Sequence, residues 1–556
     1  MKIIIIGGVA GGATAATRLR RLSENNDIII FEKGEYVSFA NCGLPYHIGG
    51  IIDNRDKLLL QTPENLKERY NLDTRVFTEV IAINKEEKTV FVKNLKTGEE
   101  YTETYDKLLL SPGAEPIKPP FEGIHSDKIF TLRNIPDMDR IVDQTKNKKD
   151  FVVVGGGFIG LEIAENLIEL GKNVRLIELS NQVMTPVDYE FASLIHRKAE
   201  KKGLTLMLNT GVQKFENYGS NIKVYLNDET FVETEAVILA IGVKPETQLA
   251  QNAGLEMGET GGILVNEYMQ TSDEDIYAVG DAIEVAHYIY SKKVLIPLAW
   301  PANRQGRLVA DNIIRGNHSK YTGSLGSSIL KFFELSIAAT GLNEKTLKRN
   351  GIPYHTIVIT KGHHAGYYPS AKDIVMKVIF DEKGTILGAQ AIGEEGVDKR
   401  MDIIATAIKG NLKVQDLQEI EITYAPPYNS AKDLINIAGY AAENILNGDL
   451  KVISYDELED FVANNNAVIL DVRTPQEHER GNIENSVNIN VDDIRKQMDE
   501  LDKNQTYVIY CQVGLRGYLA NRILRNNGFI NVFNLQGGYH LWSSVHSVKK
   551  KPELTA

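Results

Sequence analysis

Cysteine is nearly missing from this chain: 556 residues contain two, Cys42 and Cys511. Two cysteines so far apart build no disulfide framework, which fits a reducing compartment, and the fold must rest on hydrophobic cores. Basic charge is also in deficit. The 62 Lys and Arg against 74 Asp and Glu leave a net charge of −12 at pH 7. That balance argues against a nucleic-acid surface or a general attraction to anionic membranes, while leaving room for a local basic pocket. No uninterrupted apolar run approaches the ~18 residues of a membrane span. The apolar start, Lys2–Ile6, breaks at Gly7 and Gly8, and Arg18, Arg20 and Arg21 stand where a cleavage region would lie. It therefore reads as a strand and not as a secretory leader, and the expected location is cytoplasmic. Internal repeats and low-complexity tracts are absent as well. What remains is an ordinary globular composition, 43% hydrophobic and 24% charged, in a chain long enough for three or four domains.

The clearest positive features are two Gly-rich turns, each between a strand and a helix. Lys2–Ile6 leads into Gly7–Gly12, an Ala/Arg-rich helix and a strand Ile28–Glu32. The turn matches G-x-G-x-x-G at its first and last glycines but carries Val9 in the middle. Gly7, Gly8, Ala10, Gly11 and Gly12 are its candidate cofactor contacts. Glu32, twenty residues beyond Gly12, is placed to accept hydrogen bonds from ribose hydroxyls. A second unit starts at Phe151–Val154 and continues with a complete match, Gly155, Gly157 and Gly160, then Val174–Glu178 with Glu178 at the strand end. The glycines permit a tight turn and close approach of backbone to a pyrophosphate at the helix N-terminus. Two such fingerprints, each with its strand and acidic residue, point to two bound dinucleotides.

The segment TSDEDIYAVGD, Thr271–Asp281, resembles the second FAD-binding motif of two-dinucleotide flavoproteins. There a strand is expected to end at Gly280, with Asp281 on the ribityl chain. Leu108–Pro116 and Leu239–Pro245 resemble the connections between FAD and NAD domains, which makes the FAD domain discontinuous.

Around Cys42 the sequence reads SFANCGLPYHIGG. It resembles the single-cysteine flavoprotein disulfide reductases, and the Cys-Gly-Leu-Pro-Tyr run is most similar to the coenzyme A-disulfide reductases. The chemistry agrees, because Cys42 has no nearby cysteine with which to form an internal disulfide. Its oxidised form has to be a mixed disulfide with a small thiol, or a sulfenic acid. In the first case hydride passes from NADH or NADPH to FAD, two electrons reach the oxidised Cys42, and the freed thiolate attacks the next disulfide or persulfide. The sulfenic acid route belongs to the related NADH oxidases and peroxidases. Peroxidases of that group carry a histidine at the position of Ala10. A redox-sensing, partner-binding flavoprotein is the reading from a different class.

Coenzyme A carries three phosphate groups, and the arginines of the first helix form a basic cluster in an acidic protein. The resemblance implies Thr14, Arg18, Arg21, Ser38, Asn41 and Lys432 as substrate contacts. It also implies tyrosines from a partner subunit beside flavin and thiol: Tyr424 in YAPPY, and Tyr367 in HHAGYYP, where Tyr368 competes for the role. A phenol there could donate a proton to the departing thiolate.

Cys511 opens a loop, Cys511-Gln512-Val513-Gly514-Leu515-Arg516, between a strand and a helix. Backbone N–H groups and the helix dipole at such a loop stabilise a thiolate or persulfide anion. Upstream, LDVRTPQEHERGNIENSVNIN resembles the rhodanese pattern through Asp471, Val472, Arg473, Gly481 and Ile483, with Asn482 in place of the usual histidine. Four residues separate Cys511 from Arg516, a ring smaller than that of tyrosine phosphatases and suited to a sulfane sulfur. Cys511 and Arg516 are the candidate catalytic pair.

The expected fold is α/β: two Rossmann-like dinucleotide-binding domains, an α+β dimerisation domain and a C-terminal α/β rhodanese domain. The expected boundaries are 1–149 and 266–322 for the FAD domain, 150–265 for the NAD(P) domain, 323–446 for the dimerisation domain and 447–556 for the rhodanese domain. A homodimer with FAD, a nicotinamide cofactor and coenzyme A as substrate or bound thiol is the implied assembly. No metal, membrane or nucleic-acid partner is expected.

Overall fold

The structure, a computed structural model, describes residues 1–549. They form two compact units, Met1–Asn181 with Gly203–Gly326, and Gln182–Lys202 with Ser327 onward. Among the described residues no helix is long and apolar enough to cross a membrane.

The first unit holds two parallel five-stranded sheets. In one, Lys2–Ile6 lies at the centre between Lys107–Leu110 and Asp27–Phe31, with Ile276–Ala278 and Asp73–Arg75 at the edges. Its register runs from Lys2↔Asp27 to Ile6↔Phe31. The isoleucine run is buried on both faces, as a central parallel strand requires. The second sheet places Asp150–Val154 between Asn173–Ile177 and Ala236–Leu239. The two connections foreseen between these lobes pair with each other, Ala114–Pro116 antiparallel to Val243–Pro245.

Three strand ends differ from the sequence expectation. Asp27–Phe31 and Asn173–Ile177 each stop one residue before the acidic side chain. Ile276–Ala278 ends before Gly280, because the Gly280 N–H leaves the ladder and donates to Gln305 Oε1 at 2.8 Å.

The second unit contains an antiparallel five-stranded sheet with Leu335–Gly341, Ile386–Gly393 and Asp373–Phe380 in its middle. Helices Val397–Lys409 and Leu434–Leu446 belong to the same unit. The buried Lys377 ammonium sits among Asp188 (3.1 Å), Glu344 (2.6 Å) and Glu190, so the cation of this carboxylate cluster comes from the chain itself. From Val452 onward a parallel five-stranded sheet has Tyr507–Tyr510 as its central strand. Cys511 is the next residue, at the carboxyl end where α/β sheets bind ligands.

Candidate functional site

The first Gly-rich turn has no alternative to glycine at its two ends. Gly7 adopts φ +97°, and a Cβ there would lie 2.1 Å from Ser111 O. A Cβ on Gly12 would lie 1.9 Å from Gly7 O. Val9, standing where the middle glycine is usual, becomes the N-cap of helix Ala10–Leu22 and supplies no side-chain cap. The first-turn N–H groups are thus left for an anionic ligand. Glu32 is oriented by Gly8 N–H (2.9 Å) and Gly34 N–H (2.8 Å).

The second turn repeats the construction. Gly155 has φ +104°, a Cβ on Gly160 would meet Gly155 O at 1.9 Å, and Gly157 caps helix Phe158–Glu169. Glu178 accepts from Gly156 N–H (2.7 Å) and from both Ser180 N–H and Oγ (2.8 and 2.7 Å). In each unit the spacing therefore delivers a carboxylate to the mouth of the turn.

A cavity of about 430 Å³ opens over the first turn, lined among others by Glu32, Asn41, Arg133, Glu246 and Asp281. Arg133 donates to Glu246 at 2.7 Å, and Lys33 pairs with the same carboxylate. Burial raises the Asp281 carboxyl to about 6, against the opposing charge of Arg133. A carboxylate in that state calls for hydroxyl donors, and a sugar-alcohol chain provides them. The turn, the oriented Glu32 and Asp281 together fit FAD.

Cys42 sits on a single 3₁₀ turn, Asn41–Gly43, that runs into helix Leu44–Ile48. The turn is anchored by Ser38 N–H to Gly8 O (2.8 Å) and Ala40 N–H to Leu58 O (2.8 Å), with Ser38 at φ +45°. Gly43 packs close to the Leu58 side chain, whose Cδ2 would lie 2.5 Å from a Cβ there. The thiol reaches solvent, yet surrounding protein desolvates it and raises its pKa, and the carboxylates of Glu162 and Asp281 push in the same direction.

Glu162 was invisible as a site residue in the sequence. It lies on the helix of the second fingerprint, accepts a 3.4 Å hydrogen bond from Tyr46, and is raised to about 7 by its own burial. The Tyr46 phenol is held well above its ordinary value by burial and by Glu162. A glutamate two residues after Gly160, near the start of helix Phe158–Glu169, is the signal that could have found it. Its titration gives a test. Above about pH 7 Glu162 is charged and disfavours the thiolate; below it the carboxyl is neutral and neither helps nor hinders. Glu162→Gln is expected to shift the alkylation profile of reduced Cys42 to lower pH, with faster alkylation above pH 7 and no change below pH 6. A profile identical to wild type above pH 7 would separate Glu162 electrostatically from the thiol.

The substrate candidates on the first helix divide. Arg20 is buried and donates to the carbonyls of Tyr70, Ser23, Glu24, Asn26 and Asn71, so it ties the helix to neighbouring chain. The basic cluster loses that member, because a guanidinium saturated by buried carbonyls has no donor left for a phosphate. Arg18 pairs with Asp311 at 2.8 Å, and Thr14 donates to Asn303 at 2.6 Å. Arg21, Asn41 and Lys432 are exposed.

Tyr367 and Tyr424 are brought together, hydroxyl to hydroxyl at 2.8 Å, and Tyr367 is 76% exposed. Tyr368 turns its ring edge onto His364 instead. The residue that sets this pair is Arg400. Fully buried, it donates to His363 O (2.7 Å), Asn429 Oδ1 (3.0 Å) and Asp433 (2.7 Å), clamping the two tyrosine-bearing turns together.

At Cys511 the Gly514 N–H points to Sγ at 3.1 Å, and helix Leu515–Asn526 starts directly behind. Two of the loop's carbonyls are engaged, Cys511 O by Tyr539 N–H (2.8 Å) and Gln512 O by His540 N–H (3.0 Å). Asp471 and Arg473 brace it from below: Arg473 binds Asp471 (2.7 Å) and Gly481 O (2.8 Å), reaches Gln512 Oε1 (3.3 Å), and stacks 4.2 Å over the Tyr539 ring. Arg516 is held by Glu477 through two 2.7 Å hydrogen bonds.

Residues 1–306 match the pyridine nucleotide-disulphide oxidoreductase family, 327–434 its dimerisation domain, and 454–545 the rhodanese-like domain. A coenzyme A disulfide reductase of Staphylococcus aureus is 39% identical over 446 residues, 80% of this chain and all of that protein. The reduced Bacillus anthracis CoADR-RHD crystal structure superposes with a TM-score of 0.96 at 50% identity, over 98% of each chain. An NAD-dependent persulfide reductase from A. fulgidus gives 0.92 at 35% identity, over 98% of this chain and 100% of the other.

Proposed function

Since the chain belongs to the pyridine nucleotide-disulphide oxidoreductases, in the coenzyme A-disulfide reductase group and joined to a rhodanese-like domain, we propose that it uses NADH to reduce coenzyme A disulfide, coenzyme A persulfide or polysulfide at Cys42. The observation that carries this reading is the isolation of an accessible thiol between the flavin-type cavity and the helix of the second fingerprint. With no second cysteine near it in the sequence, its oxidised state is a mixed disulfide with the substrate's own thiol.

The division of labour follows from the residues. FAD is assigned to Gly7–Gly12, Glu32 and Asp281, and the nicotinamide dinucleotide to Gly155–Gly160 and Glu178. Bound there, FAD supplies the two-electron chemistry that links nicotinamide to a disulfide. Cys42 attacks one sulfur of the substrate and expels the other half as a thiolate. The paired hydroxyls of Tyr367 and Tyr424 are assigned to protonate or hydrogen-bond that leaving thiolate in a homodimer, which the matched dimerisation domain supports. Thr14, Arg18, Arg21, Ser38, Asn41 and Lys432 are proposed for coenzyme A, with Arg18 exchanging or sharing Asp311 for a phosphate. The domain boundaries given above are proposed with this assignment. The rhodanese-like domain handles sulfane sulfur at Cys511.

Steady-state NADH oxidation tests the reading with coenzyme A disulfide, coenzyme A persulfide, hydrogen peroxide and oxygen side by side. The sulfur substrates are expected to exceed peroxide and oxygen at least about tenfold in kcat/KM, a barrier difference of ~1.4 kcal/mol. NADH is expected to surpass NADPH, because Glu178 bonds a free ribose hydroxyl and repels a 2′-phosphate. Peroxide turnover equal to that of the sulfur substrates would transfer the enzyme to sulfenic acid chemistry.

A further inference from the structure

The loop that carries Cys511 contains a single cation, Arg516. Its guanidinium lies within electrostatic reach of Cys511, and both of its terminal nitrogens donate to the Glu477 carboxylate at 2.7 Å. That carboxylate is itself fixed, accepting from Thr474 N–H at 3.0 Å within the cap of helix Pro475–Glu479, and Arg516 holds it down at about 2. It therefore stays ionised throughout the working pH range. The pair presents a dipole to the mouth of the loop and no net positive charge. Below the loop, Arg473 is buried against Asp471 and is no better placed to attract an anion. The rim is apolar: Leu515, in the loop, is 67% exposed, and Leu519, one helical turn on, is 46% exposed.

Sulfane sulfur reaches such a thiol from two classes of donor. Thiosulfate is a dianion and expels sulfite, also a dianion, so its reaction depends on local positive charge to offset desolvation. An alkyl persulfide reacts as R–S–SH or its monoanion and expels a monoanionic thiolate, so it needs less local positive charge than thiosulfate. From the charge and the rim we infer that the Cys511 site takes alkyl persulfides, carried on an apolar arm of the pantetheine kind, in preference to thiosulfate. Glu477 is the specificity-determining residue. In the transfer, the Cys511 thiolate attacks the outer sulfur of R–S–SH and a new S–S bond forms. The donor's S–S bond breaks, R–S⁻ leaves with the bonding pair, and the outer sulfur stays on Cys511 with its proton.

The inference rests on the sulfurtransferase reading of Cys511, and the test separates the two. The full-length FAD-bound enzyme is assayed for thiocyanate formation from cyanide, above the uncatalysed background, with N-acetylcysteamine persulfide and with thiosulfate. Coenzyme A-disulfide reduction at Cys42 reports that each preparation is folded. In wild type the persulfide is expected to exceed thiosulfate about 100-fold in kcat/KM. Glu477→Gln, which frees the guanidinium charge, is expected to lower that ratio about tenfold. Leu515→Lys adds a cation on the rim without touching the Thr474–Glu477 cap, and is expected to lower the ratio similarly, so a misfolded Glu477→Gln protein leaves the test intact. Equal use of both donors by wild type, or a ratio unmoved in a folded variant, overturns the inference while leaving sulfur transfer at Cys511 standing. Failure of both donors in a folded enzyme removes the sulfurtransferase reading, and the inference with it.

Discussion

The Cys42→Ser enzyme is expected to bind FAD and to accept hydride from NADH at close to the wild-type rate, while coenzyme A-disulfide turnover falls by about 10³-fold or more, a barrier increase of ~4 kcal/mol. The first half of this result follows from placement. Cys42 is anchored through Ser38 and Ala40 by backbone hydrogen bonds, which a serine at position 42 leaves in place. None of the residues assigned to either dinucleotide is touched. The second half follows from chemistry. A serine hydroxyl does not form a bond to sulfur that reduced flavin can cleave, and Cys511, the other cysteine of the chain, sits in a separate loop with its own anchoring. Rapid-reaction absorbance of the flavin and steady-state NADH consumption measure the two halves on the same sample. Turnover of coenzyme A disulfide above a few per cent of wild type would show that electrons reach the substrate without passing through this thiol.

The Cys511→Ser enzyme is expected to show the complementary pattern. Sulfur transfer from a persulfide should fall about 10³-fold, because the N–H of Gly514 and the positive end of helix Leu515–Asn526 serve a thiolate that no longer exists. Reduction of free coenzyme A disulfide should stay within about twofold of wild type, since that substrate needs no sulfur carrier. Polysulfide is the informative third substrate. Its reduction falls if Cys511 loads the sulfur onto coenzyme A and stays unchanged if polysulfide meets Cys42 directly. Loss of coenzyme A-disulfide turnover in a folded, FAD-replete Cys511→Ser protein would contradict separate duties for the two thiols.

Much of this site was legible because its grammar is local. The two Gly-rich turns with an acidic residue a fixed distance on, the Cys-Gly-Leu-Pro-Tyr run and the six-residue Cys511 loop each lie within a few dozen residues. In each, the spacing alone sets backbone geometry. The same holds for the buried strands, whose apolar runs identify them. The readings that needed revision concern which charge answers which. Arg20 looked like part of a phosphate-binding cluster until five carbonyls, some of them fifty residues away, accounted for its donors. The choice between Tyr367 and Tyr424's possible neighbour, Tyr368, was open in sequence because adjacent residues share every local property.

The sequence by itself determined the local patterns: one cysteine with no neighbouring cysteine, a second in a loop between a strand and a helix, and two Gly-rich turns. Tertiary structure decided the tuning. Tyr46 meets Glu162 across 116 residues, Tyr367 meets Tyr424 across 57, and Glu477 neutralises Arg516 across 39. The buried Arg400 that clamps the tyrosine turns carries no motif of its own. The physical reason is that a backbone turn is set by neighbours along the chain, whereas the state of a charge is set by burial and by whichever group the fold places within a few ångströms.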